Sequence, residues 1–110
     1  MRSFPESDWR VFKQVRQAAL ERFCSRVLNE TSRLASSPEG NPHEQYLKLY
    51  KLIDKRDEQI ANAFNDFRRS TAFAQLIIMR NYGMLTPEDL AQFGEETRQL
   101  LDNFRRINET

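Results

Sequence analysis

The chain has 110 residues, of which 39% are hydrophobic and 30% are charged, and its formal net charge is +1 at pH 7. This length corresponds to a single domain, residues 1–110, with a small core. The near-zero net charge excludes a strong overall attraction to nucleic acid or to an anionic membrane. The proportions of apolar and charged residues are typical of amphipathic helices in a thin bundle.

The sequence contains no signal-peptide pattern and no stretch approaching the roughly 18 apolar residues that span a bilayer. Cys24 is the single cysteine, so one chain can form neither an internal disulfide nor a thiolate metal cluster. Unpaired cysteine is typical of a reducing compartment. We therefore expect a cytoplasmic protein that does not enter the membrane.

The first predicted helix spans about residues 7–35, with Ser7 as its candidate N-cap. Its apolar residues recur mainly every three or four positions, which places them along one face. They are Trp9, Phe12, Val15, Ala19, Phe23, Val27 and Leu34. Basic residues lie mainly off this face, so the helix is predicted to pack against a single core.

The second predicted helix is unusually long. The breaker cluster Ser36–Gly40 is followed by Asn41 and Pro42, a strong helix start. The asparagine can accept from the amide of Glu44, and proline loses no needed donor at the first helical position. No breaker follows before Gly83. We predict a helix over about residues 42–82, roughly 60 Å long at 1.5 Å per residue.

Residues spaced alternately four and three apart form a seam along this helix, the spacing of a coiled coil. They are Tyr46, Tyr50, Ile53, Asp57, Ile60, Phe64, Phe67, Thr71, Ala74 and Ile78. A single polar residue at such a position more often fixes register than performs chemistry. The polar run from Asn62 to Thr71 leaves open whether the helix is continuous or kinked.

The third predicted helix spans about residues 87–107. Gly83 suits the left-handed conformation that ends a helix, and Thr86 with Pro87 begins the next one. Because short turns place successive helices antiparallel, the expected fold is all-α. It has three antiparallel helices around a very long central helix, in a coiled-coil-like bundle.

The late part of the second helix lies beyond most of the first helix in this arrangement. Because it is apolar on several faces, an exposed patch would remain, and such patches mark interfaces. We predict a homodimer through the late second helix and the third. The candidate interface residues are Phe73, Leu76, Ile77, Met79, Tyr82, Met84 and Phe93. Five of them, Phe73, Met79, Tyr82, Met84 and Phe93, could alternatively line a groove for a ligand or peptide.

No constellation of catalytic, cofactor-binding or metal-binding residues is evident. His43 is the only histidine, and no second histidine or cysteine stands near it. The carboxylates Asp54, Asp57 and Glu58 lack the Glu-x-x-His motif of di-metal helical bundles. Cys24 has no obvious base partner. We therefore predict no enzymatic activity, no metal and no cofactor.

Two functional hypotheses remain. The main one is a non-enzymatic interaction or adaptor module, whose protein partner the sequence does not identify. The alternative is a small nucleic-acid-associated regulator that uses the basic flank of the first helix. Its candidate basic patch consists of Arg10, Lys13, Arg16, Arg68 and Arg69.

Nucleic-acid binding is the less favoured hypothesis because acidic residues are interspersed with these basic ones. The segment Leu85–Arg106 also departs from a helix-turn-helix motif. Gly94 stands one residue too early, and Glu95 and Glu96 would repel phosphate at the start of the would-be recognition helix.

Overall fold

The computed structural model describes the backbone of residues 4–109 and the side chains of residues 4–104. Over this range the chain is all-helical, without strands. The helices of the described residues are α1 (Glu6–Ala35), α2 (Pro42–Phe64), α3 (Ala72–Asn81), α4 (Pro87–Ala91) and α5 (Glu95–Glu109), and a 3-10 turn, Arg69–Thr71, precedes α3. None of these helices is both long and apolar enough to cross a membrane.

The predicted start of the second helix is confirmed. The side chain of Asn41 accepts from the amide of Glu44 at 2.9 Å, and Pro42 occupies the first turn. The expected cap of the first helix is wrong, because α1 begins at Glu6 with Pro5 at its N-cap position and no side-chain cap.

The corner between α3 and α4 follows the predicted pattern. Gly83 has φ +70°, and the amide of Met84 donates to the carbonyl of Met79 at 2.9 Å. This closes the end of α3. Thr86 and Asp89 then form a reciprocal capping box, with both hydrogen bonds at 3.0 Å.

The long second helix is not continuous, because α2 ends at Phe64 and α3 begins at Ala72. The carboxylate of Asp66 instead accepts two hydrogen bonds from Arg68, at 2.6 and 2.7 Å. The hydroxyl of Thr71 donates to the Arg68 carbonyl at 3.1 Å. Such local side-chain bonds compete with helical backbone bonds, so the polar run interrupts the helix.

After this break the chain turns back along α1. Arg69 donates to the Phe4 carbonyl at 2.6 Å, near the start of α1. Fifteen residues later, the Met84 carbonyl accepts from Arg22 at 3.0 Å, well along the same helix. The segment predicted to extend the second helix therefore lies beside the first.

The predicted third helix is also divided, into α4 and α5, with a bend at residues 92–94. Phe93 is buried at the bend. The amide of Gly94 donates to one carboxylate oxygen of Asp8 at 2.8 Å, and the hydroxyl of Thr97 donates to the other. Asp8, on α1, thus caps the amino terminus of α5, where a negative charge is favourable.

The buried hydrophobic residues form one cluster at one end of the molecule. We call this end the head, comprising residues 4–23 and 63–104. No residue between 24 and 62 is fully buried; we call this segment the arm. Cα positions extend over 54 × 31 × 22 Å. The core residues are Phe4, Phe12, Val15, Ala19, Phe23, Ala63, Phe64, Ala72, Leu76, Met79, Met84, Phe93 and Leu101.

Candidate functional surfaces

The predicted interface residues lie mainly inside the head. Leu76 and Met79 are fully buried, and Met84 and Phe93 are nearly so. Residues from α1 and α5, including Phe12 and Leu101, belong to the same cluster. These four side chains are therefore not available to a second chain in this conformation. They were predicted to be exposed because the late second helix was expected to lie beyond α1 and not alongside it.

The other three predicted interface residues, Phe73, Ile77 and Tyr82, are half-buried and pack against the same core. The phenol oxygen of Tyr82 accepts from the amide nitrogen of Asn62 at 3.0 Å. Phe73, Ile77 and Tyr82 therefore cover part of the hydrophobic core of the head. In this conformation the seven residues do not form a continuous exposed surface.

Most of the large exposed apolar residues lie on the arm instead. Tyr46 and Tyr50 are 63% and 61% exposed, Ile53 is 48% exposed and Leu47 is 40% exposed. We call these four residues the α2 stripe. Tyr46, Tyr50 and Ile53 are the first members of the predicted seam, and their spacing puts them on one face of α2.

A different row of side chains on α2 is less exposed to solvent than the stripe. Leu49, Leu52, Arg56 and Gln59 are half-buried, and Arg56 contacts α1 through Glu30. The first members of the predicted seam therefore do not face α1, because they lie outside the covered row. The sequence carries two neighbouring apolar rows here, and only one of them meets α1.

Several polar contacts join the two helices of the arm. Arg56 donates to both carboxylate oxygens of Glu30, at 3.0 and 2.8 Å. This hydrogen bonding lowers the pKa of Glu30 and raises the pKa of Arg56. Near the tip, the side chain of Gln45 donates to the carbonyls of Ser37 at 2.7 Å and Leu34 at 3.3 Å.

Members of the candidate basic patch surround an aromatic cluster in the head. The guanidinium of Arg16 lies 4.3 Å from the ring centre of Phe67, and the amine of Lys13 lies 5.7 Å from the ring centre of Trp9. The Trp9 and Phe67 rings are themselves 5.4 Å apart. Arg16 also donates to the Phe64 carbonyl, and burial lowers its pKa. Arg16 thus fastens α1 to the end of α2.

The remaining basic patch residues are paired with carboxylates. Arg69 lies 2.7 Å from Glu6, and Arg10 lies 3.7 Å from the same glutamate. Arg68 pairs with Asp66, which raises the pKa of the arginine and lowers that of the aspartate through their hydrogen bonds. Glu6 and Asp66 thus compensate two of the five positive charges of the candidate patch.

The bend at residues 92–94 does separate two helices, as in a helix-turn-helix. However, α4 is only five residues long. Glu95 and Glu96 stand in the first turn of α5, where they oppose phosphate binding. This segment therefore has a helical corner without the electrostatics of a DNA-reading element.

The candidate reactive residues differ in their exposure. Cys24 is half-buried, whereas His43, Asp54, Asp57 and Glu58 are exposed. Over the described part of the chain, no three histidine, cysteine or acidic side chains are grouped so that they could hold a metal ion.

A basic cleft lies where the arm meets the head. Its volume is about 390 Å³. Its arginines do not stand out in the sequence, because Arg56 is distant from the others and each belongs to an ordinary amphipathic pattern. Its lining residues are Phe23, Arg26, Val27, Asn29, Glu30, Arg33, Arg56, Gln59 and Tyr82.

Comparison with known proteins gives no relative. The chain matches no protein-family model, and neither a curated protein nor a solved structure is significantly similar to it. Any functional conclusion therefore depends on the surfaces of this molecule.

Proposed function

We propose that this protein is a non-enzymatic helical interaction module of the cytoplasm that self-associates through the α2 stripe. The observation that carries the proposal is the exposure of Tyr46 and Tyr50, each more than 60% exposed on one face of the arm. Contiguous exposed apolar residues rimmed by polar ones are typical of interaction surfaces. Tyrosine is also enriched in the energetically important parts of such surfaces.

The arrangement of the arm supports this use of the stripe. Residue contacts join Arg16 with Phe64, Glu30 with Arg56, and Leu34 with Gln45. Sequence numbers rise along α1 as they fall along α2, which supports an antiparallel pair. Such a two-helix arm supports the stripe along one side, and the helices of a second chain can cover its other side.

A second copy of the chain is the partner that the flanking charges fit. Lys51 and Asp54 are exposed and lie beside the stripe on one flank of α2. Neither forms an ion pair with any described residue. In an antiparallel contact between two α2 helices whose two-fold axis passes between Leu52 and Ile53, Lys51 of one copy lies opposite Asp54 of the other. Two-fold symmetry then produces this pair twice.

The size of the stripe predicts a weak dimer. A stable interface buries about 800 Å² on each partner, and four partly exposed side chains supply only part of this area. Each of them contributes at most about 1 to 2 kcal/mol when it is fully covered. We therefore expect a dissociation constant in roughly the micromolar range.

The groups with shifted pKa values fit a non-enzymatic role. Glu30 and Arg56, like Asp66 and Arg68, owe their pKa shifts mainly to hydrogen bonds within ion pairs. The pKa of Arg16 is lowered by burial. These environments join helices together, which is a structural use of charge.

Sedimentation velocity over a range of protein concentrations tests the proposal. Lys51→Asp and Asp54→Lys should each weaken the dimer, by about fivefold or more, because each places like charges opposite one another. The double variant restores opposite charges and should recover dimerisation. Tyr50→Glu should remove it altogether, since the charge would be buried at the contact.

Leu28→Glu is the matched control, because Leu28 is 68% exposed on α1 and lies outside the stripe. It should leave the dimer unchanged. A wild-type protein that remains monomeric up to about millimolar concentration would overturn the proposal. So would a double charge exchange that fails to recover what each single exchange loses.

A further inference from the structure

The cleft between arm and head has an uneven supply of hydrogen-bond donors and acceptors. Most of its side-chain acceptors are already in use, the Asn29 amide oxygen being the exception. Both oxygens of Glu30 accept from Arg56, and the side-chain oxygen of Gln59 accepts from the same arginine at 3.1 Å. The phenol oxygen of Tyr82 accepts from Asn62 at 3.0 Å.

The donors of the same groups remain available. Because the Tyr82 oxygen accepts from Asn62, its own hydroxyl proton is free to be donated to a ligand. The amide nitrogen of Gln59 likewise makes no hydrogen bond with the described residues, since only its oxygen is engaged. The cleft therefore offers more unengaged donors than unengaged acceptors.

Two arginines add positive charge to this donor set. Arg33 forms no hydrogen bond or ion pair with the described residues, although it lines the cleft. Arg26 makes one long hydrogen bond, to the Gly83 carbonyl at 3.3 Å, and its guanidinium lies 5.3 Å from the ring centre of Phe23. With Arg56 and Glu30 paired to each other, Arg26 and Arg33 give the cleft a net positive charge.

The spacing of these arginines favours a ligand with two anionic groups. Arg26 and Arg33 are two helical turns apart on α1, a rise of about 10 Å along the helix. Flexible side chains of this length can close on one diphosphate from both ends. Guanidinium groups match phosphate oxygens in pairs, and the hydroxyl and amide donors can satisfy those that remain.

We propose that this cleft binds a small molecule bearing a diphosphate group, held by Arg26 and Arg33 and by the donors of Tyr82 and Gln59. The volume of about 390 Å³ is within the range of small-molecule sites. Phe23 and Val27 supply an apolar wall for the uncharged part of such a ligand. The cleft does not involve the α2 stripe, so this proposal is independent of self-association.

Isothermal titration calorimetry with inorganic pyrophosphate tests the site on the full chain. We expect one saturable site that weakens as salt rises from about 50 to about 200 mM. Arg33→Gln should reduce the affinity at least about tenfold, because a charge-assisted contact is lost. This variant should fold normally, since Arg33 makes no hydrogen bond that it would remove. Tyr82→Phe should reduce the affinity by a smaller factor.

Arg10→Gln is the charge-matched control. Arg10 is exposed in the head, and its nearest carboxylate is Glu6 at 3.7 Å. This variant should retain the wild-type affinity within about twofold. An equal loss of affinity in Arg10→Gln and Arg33→Gln would show diffuse attraction and overturn the proposal. Absence of saturable binding to the wild-type protein would overturn it as well.

Discussion

The two ends of α1 differ sharply in their surroundings, although both belong to one uninterrupted helix of 30 residues. In the head, Phe12, Val15, Ala19 and Phe23 are buried against several elements. In the arm, Leu28 is 68% exposed, and no residue is fully buried. The apolar pattern of a helix thus indicates which face is covered but not how many neighbours cover it.

The two regions also differ in how they are held together. Contacts distant in sequence close the head, as when Asp8 caps α5 and Arg22 contacts Asp89. The arm has no fully buried residue, and its two helices are joined by half-buried side chains and by polar bonds such as the pair formed by Arg56 and Glu30. We therefore expect global stability to reside in the head, and local opening to begin in the arm.

The largest expected effect comes from a cavity in the head. Leu76→Ala should lower the free energy of unfolding by about 3 to 5 kcal/mol. Leu76 is fully buried, so its truncation removes apolar contacts and leaves a cavity in the packed core. Urea denaturation measures this change. Leu28→Ala, the same substitution on the exposed side of the arm, should change it by less than about 0.5 kcal/mol. Similar losses in both variants would remove the distinction between head and arm.

The next effect concerns the cap of α5. Asp8→Ala should lower the free energy of unfolding by about 2 kcal/mol, since the Gly94 amide and the Thr97 hydroxyl lose their acceptor. Hydrogen exchange should also accelerate in the first turn of α5. Ser7→Ala is the control at the adjacent exposed position and should have almost no effect. Unchanged exchange in α5 on replacing Asp8 would show that the carboxylate does not cap this helix.

The smallest expected effect is a pH-dependent change in the stability of the arm. Since Arg56 lowers the pKa of Glu30 in the folded protein, the pair stabilises the arm above the ordinary pKa of glutamate. This stabilisation is lost as pH falls through the lowered pKa. Its size should be below about 1 kcal/mol, because both side chains are partly exposed.

Hydrogen exchange of the arm amides, followed as the pH is lowered, measures this effect. After correction for the intrinsic pH dependence of exchange, protection in the arm should fall more than protection in the head. Glu30→Gln should remove the pH dependence that is specific to the arm. Persistence of that dependence in the variant would assign it to another group.

Much of the local structure could be predicted from sequence. The helix ends at Asn41, Gly83 and Thr86 depend on backbone conformation and on hydrogen bonds to residues within a few positions. The neighbouring sequence was therefore sufficient to predict them. The all-helical class follows from the periodicity of the apolar residues. The interruption after Phe64 was visible as a run of polar residues, but its geometry was not.

The candidate surfaces were harder to predict from the sequence. Tyr46 and Tyr50 fit a coiled-coil seam, but the choice between the two apolar rows of α2 depends on which one meets α1. Arg33 of the basic cleft resembles any solvated helix residue. Its availability to a ligand is evident only once Glu30 is seen to pair with Arg56.

The sequence by itself determined the helical class, most helix ends and the position of the polar interruption, because these depend on periodicity and on bonds between near neighbours. Tertiary structure decided the rest. When the chain turns back after the interruption, the apolar segment from Phe73 to Met79 packs into the head, and the arm is left with the exposed stripe. The contact between Asp8 and Gly94 likewise divides the predicted third helix. Such outcomes depend on which distant groups meet, and periodicity along a single helix contains no information about that.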